Sequence, residues 1–277
     1  MKTHKYPSVL TIAGFDGSGG AGIQADIKTI SALGCYATSV LTALPVQNTQ
    51  GVKNIFSIPI AAVAEQLNAI MEDIVPDAIK IGMVHTPELV EVIVEKLEKH
   101  KGIPIVFDPV MVATSGHRLI EEKTISTIIE KLLPMADLIT PNMDEAAILS
   151  KVNVETLNDM TLAGERIKKL NCKHILLKGG HQQTEVITSL YLDASDTSHS
   201  FEFNKIKTHN THGSGCTLSS AIASYLAIGK SMYEAVALGQ QYVYNAIKHG
   251  ADTKTGQGNG PLNHFFNPQI LIKNEMV

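Results

Sequence analysis

The sequence predicts an α/β fold built on a mainly parallel sheet with antiparallel edge strands. Three observations carry this reading. From residue 8 to residue 178, short β-branched runs alternate with longer stretches of helical periodicity, the pattern of consecutive βαβ units. Two strand-like runs, 186–192 and 199–204, then follow one another with no helix between them, which suits antiparallel pairing at a sheet edge. The 277 residues are 44% hydrophobic and 18% charged. That composition suits one domain, 1–277, around a sizeable core; a second domain is not required.

The first strand, 8–13, is apolar and β-branched (Val9, Leu10, Thr11, Ile12) and runs into a glycine-rich turn and a helix over 21–33. Strand 37–44, helix 61–74, strand 78–82, helix 88–100 and strand 103–108 repeat the rhythm. It continues through helix 122–133, strand 138–140, helices near 144–149 and 157–170, and strand 174–178. After the edge strands, helices 217–228 and 232–249 close the domain. No internal repeat is visible, and the loose segments are 193–199 and the Gly/Asn-rich tail 253–263.

Composition excludes several function classes. A formal net charge of -4, with 23 Lys and Arg against 27 Asp and Glu, leaves no basic stripe to follow a phosphodiester backbone, so no nucleic-acid partner is expected. Cys35, Cys172 and Cys216 are odd in number and far apart, which signals neither a disulfide framework nor a zinc site and suits a reducing cytoplasm. About six apolar residues precede Gly14-Phe15-Asp16, too few for a secretory leader, and no run approaches a membrane span.

The chemistry concentrates where strands end, which is where ligands bind in such sheets. Gly17, Gly19 and Gly22 satisfy G-x-G-x-x-G between a strand and a helix. A dinucleotide site would also need an acid at the end of the second strand. No Asp or Glu occurs between Asp26 and Glu65, and that strand ends in Val46-Gln47-Asn48-Thr49, so hydride transfer is disfavoured. A Walker A loop is missing too, since Gly229-Lys230-Ser231 has Ser224 where the upstream glycine belongs.

Asn210-Thr211-His212-Gly213-Ser214-Gly215-Cys216-Thr217 opens an apolar helix and reads as an anion hole made of backbone N–H groups at the positive end of a helix. A thiol in that field loses its proton more easily, so Cys216 suits a base or nucleophile; equally it suits a small apolar side chain in a turn. Asp108-Pro109-Val110-Met111, Thr140-Pro141-Asn142-Met143-Asp144-Glu145 and Lys178-Gly179-Gly180-His181 each end a strand in polar groups. Singly they are caps and turn residues. Together they are the parts of phosphoryl transfer: acids for magnesium through water, a lysine for the migrating phosphate and a hole for developing charge.

The ordered set GFDGSGGAGIQADIKT, VQNTQGV, KIGM, DPVM, TPNMDEA, LKGGH and NTHGSGCTLSSA covers nearly the whole chain. In this set the chain resembles the hydroxymethylpyrimidine/phosphomethylpyrimidine kinases of thiamine biosynthesis, within the ribokinase-like superfamily. The resemblance implies a three-layer αβα sandwich and stepwise ATP-dependent phosphorylation of 4-amino-5-hydroxymethyl-2-methylpyrimidine to its monophosphate and diphosphate. It implies that Gly14, Ala21, Gln47, Met83 and Val110 line the pyrimidine pocket, with Asp26 near the phosphorylated end. Asn142, Lys178, Thr211, Gly213 and Gly215 would face ATP, Asp108 and Glu145 would organise Mg2+, and Gly213, Ser214, Gly215 and Cys216 would form the anion hole. A cytoplasmic homodimer is implied as well. Sugar kinases of the superfamily place Asp where this chain has Cys216, which leaves the base open.

Gln47 has its own argument, because a primary amide complements the donor amine and acceptor ring nitrogen of an aminopyrimidine. A pyridoxal kinase is the nearest rival, and VQNT fits it less well. A non-catalytic sensor of a nucleotide or vitamin precursor would keep the pocket and glycines without needing Asp108, Lys178 and Cys216 together.

Overall fold

Alternation along the strands divides the apolar side chains between the two faces of one sheet. The computed structural model describes residues 3–111, 120–180, 182 and 184–275; His181 of the Lys178 turn lies outside the described residues. The strands are β1 (His4–Lys5), β2 (Ser8–Ala13), β3 (Tyr36–Leu41), β4 (Ala43–Asn48), β5 (Gly51–Ser57), β6 (Ala78–Ile81), β7 (Ile105–Phe107), β8 (Leu138–Ile139), β9 (His174–Leu177), β10 (Val186–Leu192), β11 (Ser198–Asn204) and β12 (Asn274–Glu275). The helices are α1 (Gly22–Ala32), α2 (Ile60–Asp73), α3 (Pro87–Leu97), α4 (Glu122–Thr127), α5 (Met143–Ser150), α6 (Leu157–Lys168), α7 (Ser214–Ala227) and α8 (Met232–Gly250); α4 continues as a π-helical turn, Ile128–Leu132.

Eight strands form the main sheet in the order β11-β10-β9-β8-β7-β6-β2-β3. Pairing is parallel from β9 to β3 and antiparallel at β10 and β11. Val9, Ala78, Val106, Leu138, Leu176 and Tyr191 pack with Ile30 of α1, Ile222 of α7 and Val236 of α8. Their neighbours in sequence, among them Leu10, Ile79, Phe107, Ile139 and Leu177, point the other way and pack with α2 to α6 through Leu67, Ile93, Ile125, Ala146 and Ile167. The period of two along a strand thus builds two cores and a three-layer αβα sandwich. β3 lies on one side of β2 and β6 on the other, so strand order reverses at β2 and a crevice opens at its carboxyl end.

Three expectations are corrected. The run 37–44 is not one strand: the chain leaves the sheet after Leu41, and β4 pairs antiparallel with β5 in a separate hairpin, with a bulge at Val46/Gln47. Pro45 lacks the N–H that a further ladder position would need. The last but one helix starts at Ser214 instead of residue 217, because Gly213 takes a left-handed φ of +82° and turns the chain into it; a Cβ there would also collide with the Gly20 carbonyl. Segment 193–199 is a tight turn, with Asp193 Oδ1 accepting from Ser195 N at 2.8 Å and Thr197 N at 2.9 Å, an Asx-type turn that starts β11 at Ser198. Ahead of β2, β1 pairs with β12 in a separate two-stranded sheet, His4 facing Glu275. Among the described residues no helix is long and apolar enough to cross a membrane.

Candidate active site

The carboxyl ends of the parallel strands bring the polar groups of distant segments into one cleft. After β2 the chain turns at Gly14, and Ile23 N donates to Gly14 O at 2.9 Å. Gly22 makes this approach with φ +55°, at a spot where any Cβ would strike the Gly14 carbonyl. Asp16 is the hub of the loop. Its Oδ1 accepts from Ser18 N and Oγ (2.9 and 2.7 Å), and its Oδ2 from Gly20 N, Ala21 N and His212 Nε2 (3.2, 2.7 and 2.9 Å). Burial alone would raise this carboxyl, but His212, the Ser18 hydroxyl and the loop N–H groups hold it well below the usual carboxylate range. His212 N in turn donates to Gly260 O at 3.0 Å.

The strands β7, β8 and β9 deliver the charged centre. Asp108, buried just beyond β7, accepts from Thr140 Oγ1 at 3.0 Å and from Lys178 Nζ at 2.7 Å. Glu145 Oε2 stands 4.0 Å from the same ammonium. Asn142 is pulled beside Lys178 by a one-residue β-bridge and caps α5 in a reciprocal box: Glu145 N donates to Asn142 Oδ1 and Asn142 N to Glu145 Oε2, both at 2.8 Å. Burial pushes the Glu145 carboxyl up to about 7, Lys178 opposes this and Asp108 adds to it. Lys178 would lose its proton more readily through burial, yet Asp108 and Glu145 hold it above its ordinary value. Two buried carboxylates thus face one ammonium, a site with surplus negative charge.

The anion hole abuts this centre. A Cβ placed on Gly215 would stand 3.2 Å from both Asp108 Oδ2 and Lys178 Nζ, so the first turn of α7 lies against the ion pair. Ser214 N donates to Thr211 O at 3.1 Å and Thr217 N to Gly213 O at 2.8 Å, whereas the N–H groups of Gly215 and Cys216 find no protein acceptor among the described residues. Cys216 is partly exposed. The expected easing of its thiol is not what the surroundings produce. Burial pushes it up to about 11; Lys80 and the Gly22 N–H draw it down, Asp26 and Asp108 push it further up.

The pyrimidine-lining candidates gather at the switch point. A methyl on Gly14 would lie 3.0 Å from Met83 Cε and 3.8 Å from Pro45 Cδ, so Gly14, Met83 and the β4–β5 hairpin share a wall. Gln47 is half-buried on that hairpin, and its amide has no protein partner among the described residues. The hairpin tip is held by Asn259 N, which donates to Thr49 O at 2.9 Å. Ala21 caps α1, and Val110, half-buried, follows Asp108 with its N–H on the Asp108 carbonyl at 2.8 Å. Asp26 stands apart. It is fully enclosed and bound to Lys80, Thr11 and Ser220 behind the cleft.

Sequence reasoning missed Asp16, His212 and Lys80. An acid inside a glycine run, able to collect N–H groups, and a lysine inside the apolar strand Ala78-Ile79-Lys80-Ile81 were the available signals.

Comparison with known proteins agrees with this geometry. The family model described as phosphomethylpyrimidine kinase matches residues 16–263. The hydroxymethylpyrimidine/phosphomethylpyrimidine kinase of Rhizobium meliloti (strain 1021) is 42% identical over 257 residues, 92% of this chain and 96% of that protein. The crystal structure of the phosphomethylpyrimidine kinase from Clostridium difficile 630 aligns with a TM-score of 0.77 at 42% identity, over 87% of this chain and 99% of that one. The pyridoxal kinase from Staphylococcus aureus in complex with AMP-PCP and pyridoxal aligns with a TM-score of 0.85 at 34% identity, over 94% of each chain. The chain spans about half the length (48–52%) of the bifunctional thiamine biosynthesis relatives from rice, Geobacter sulfurreducens and Arabidopsis thaliana that it matches at 42–44% identity. With its sandwich, its switch-point cleft and a family model spanning most of its length, the chain belongs to the phosphomethylpyrimidine kinase family.

Proposed function

We propose that this chain, as a single kinase domain, transfers the γ-phosphoryl group of ATP to 4-amino-5-hydroxymethyl-2-methylpyrimidine and then to the resulting monophosphate, in thiamine biosynthesis. The observation that carries the reading is the meeting of Lys178, Asp108 and Gly215 within about one contact distance; a half-buried amide, Gln47, with no protein partner among the described residues, supports it from the β4–β5 hairpin. Binding residues alone would not need a cation, an acid and unpaired N–H groups at one point. That disfavours the sensor.

In the first reaction the substrate hydroxyl oxygen attacks the γ-phosphorus, the bond to the ADP oxygen breaks, and the hydroxyl proton leaves to a base. Gln47 orients the ring, the Gly215 and Cys216 N–H groups hold the equatorial oxygens, and Lys178 follows the migrating group. Cys216, as its thiolate, is the candidate to take that proton. In the second reaction the attacking oxygen is a phosphate oxygen, already anionic near neutrality.

Magnesium fits the pair of buried acids Asp108 and Glu145, which share one ammonium, Lys178. When bound it supplies charge neutralisation on the ATP phosphates, with these two acids holding it through water. The reading includes a cytoplasmic homodimer; exposed Leu44, Val46 and Phe56 on one face of the β4–β5 hairpin support a self-contact there.

The test is ADP release from Mg-ATP with the pyrimidine alcohol, its monophosphate, pyridoxal and ribose offered separately. Turnover of both pyrimidines is expected. Pyridoxal turnover alone would transfer the assignment to the activity named for the Staphylococcus aureus neighbour, and no turnover with any would leave the sensor.

A further inference from the structure

Lys80 and Asp26 form an ion pair of 2.7 Å with both side chains wholly inaccessible. Neither reaches solvent or the cleft surface. Asp26 Oδ2 also accepts from Thr11 Oγ1 at 2.6 Å, and Oδ1 from Ser220 Oγ at 2.8 Å. Four elements meet here. Thr11 of β2 and Lys80 of β6 are register partners, Asp26 belongs to α1 and Ser220 to α7.

Helical spacing ties this cluster to the reacting end of the cleft. Asp26 lies one turn beyond Gly22 in α1, and Ser220 one turn beyond Cys216 in α7. A Cβ on Gly213, at the start of α7, would collide with the Gly20 carbonyl and Ala21 Cα of the glycine loop. The Asp26–Ser220 bond therefore ties the second turns of α1 and α7 together, behind the point where Gly213 meets the glycine loop. Lys80 reaches along β6 toward its carboxyl end, its Nζ only 2.8 Å from where a Cβ on Gly82 would stand.

Stability does not account for the cluster. Removing two charges from water costs several kcal/mol per ion, and apolar side chains of similar size often replace such a pair at no loss. What an apolar pair cannot do is bond Ser220 and Thr11 in fixed directions.

We propose that Lys80, Asp26, Thr11 and Ser220 are positioning residues that hold the first turn of α7, with Cys216 and the anion hole, in register with the glycine loop at α1. This rests on the phosphoryl-transfer reading given above. The network touches no substrate and acts through the placement of the Gly215 and Cys216 groups, so its loss appears in turnover and not in pyrimidine binding.

Two variants test it: Lys80→Met/Asp26→Leu, which removes both charges together, and Ser220→Ala, which removes one hydroxyl. For each, the melting temperature, KM for the pyrimidine alcohol and kcat are measured beside wild type. The double variant is expected to melt within a few degrees of wild type or above it, keep KM, and lose about 10- to 100-fold in kcat, the scale of a displacement of about 1 Å at a reacting centre. Ser220→Ala is expected to keep its melting temperature and lose roughly 3- to 10-fold in kcat. Wild-type kcat in either folded variant overturns the proposal, and if the double variant does not fold, Ser220→Ala decides alone. Wild type inactive on every acceptor would instead remove the kinase reading, and this inference with it.

Discussion

Asp16 Oδ2 and His212 Nε2, 196 residues apart in sequence, meet at 2.9 Å and join the glycine loop after β2 to the approach to α7. The glycine loop and the turn that opens α7 are therefore bonded directly to each other, with Asp16 completely enclosed. Its carboxyl is held below the ordinary value of 3.8. A depressed carboxyl favours the fold while ionised, so its contribution is complete above about pH 4 and fades as pH falls through the lowered value. Wild type should lose melting temperature as pH falls from about 4 to 2. Asp16→Asn should start lower at pH 7, by about 1–3 kcal/mol for unsatisfied N–H groups, and fall less steeply. Melts across this range decide it, and an unchanged acid slope in the variant would place the sensitivity elsewhere.

Gln47→Ala is expected to raise KM for both pyrimidines with little change for ATP, because the half-buried amide stands on the β4–β5 hairpin with no protein partner among the described residues. One lost hydrogen-bonded pair is worth roughly 1–3 kcal/mol, or about 5- to 150-fold. Titration with nucleotide and with pyrimidine separates the two affinities; a variant that loses only nucleotide would show the pocket to be misassigned.

Asp108→Ala and Lys178→Ala are expected to depress kcat by about 10²-fold or more while pyrimidine affinity changes little. The two groups bond each other at 2.7 Å beside Gly215. Calorimetry finding normal turnover with lost pyrimidine binding would reverse this division of labour.

Cys216→Ala keeps the backbone N–H groups of the hole and removes only the thiol. If Cys216 takes the hydroxyl proton, the alcohol reaction slows by roughly 100-fold or more, the low end of general-base contributions of about 10² to 10⁴, while the monophosphate reaction suffers much less. Equal losses on the two substrates would make Cys216 a packing element of the hole. No loss on either would return it to the role of a small buried side chain.

The pH profile gives an independent reading of the same residue. Because burial pushes the Cys216 thiol up to about 11, thiolate is scarce at pH 7, and a rate that needs it climbs about tenfold per pH unit between pH 7 and pH 9. The monophosphate reaction, whose nucleophile has lost its proton by about pH 6, should be flat over that span. A flat profile for the alcohol as well would exclude the thiolate as the base.

The parallel core was legible because its strands are buried on both faces and read as continuous β-branched runs, such as Val9 to Ile12 and Ala78 to Ile81. The β4–β5 hairpin was not, since Pro45 and the polar residues Gln47 and Asn48 break both the apolar and the alternating pattern. Asp108 and Lys178 could be found because each directly follows a recognisable strand, and Asn142 because it lies three residues beyond one. Asp16 and Lys80 could not, because what they do depends on His212 and Asp26, partners 196 and 54 residues away that no local spacing reveals. Burial, the factor that reverses the expectation for the Cys216 thiol, is likewise a property of the packed layers and not of the local motif.

β1 and β12 pair side by side next to the amino end of β2, where Lys5 also reaches Asp77 ahead of β6. The substrate cleft opens at the other end of those strands. A second catalytic unit joined through either of these segments would therefore leave from one place on the kinase, behind the sheet. Either segment of this chain is thus a junction at which an added neighbour would stand clear of the doorway of the cleft.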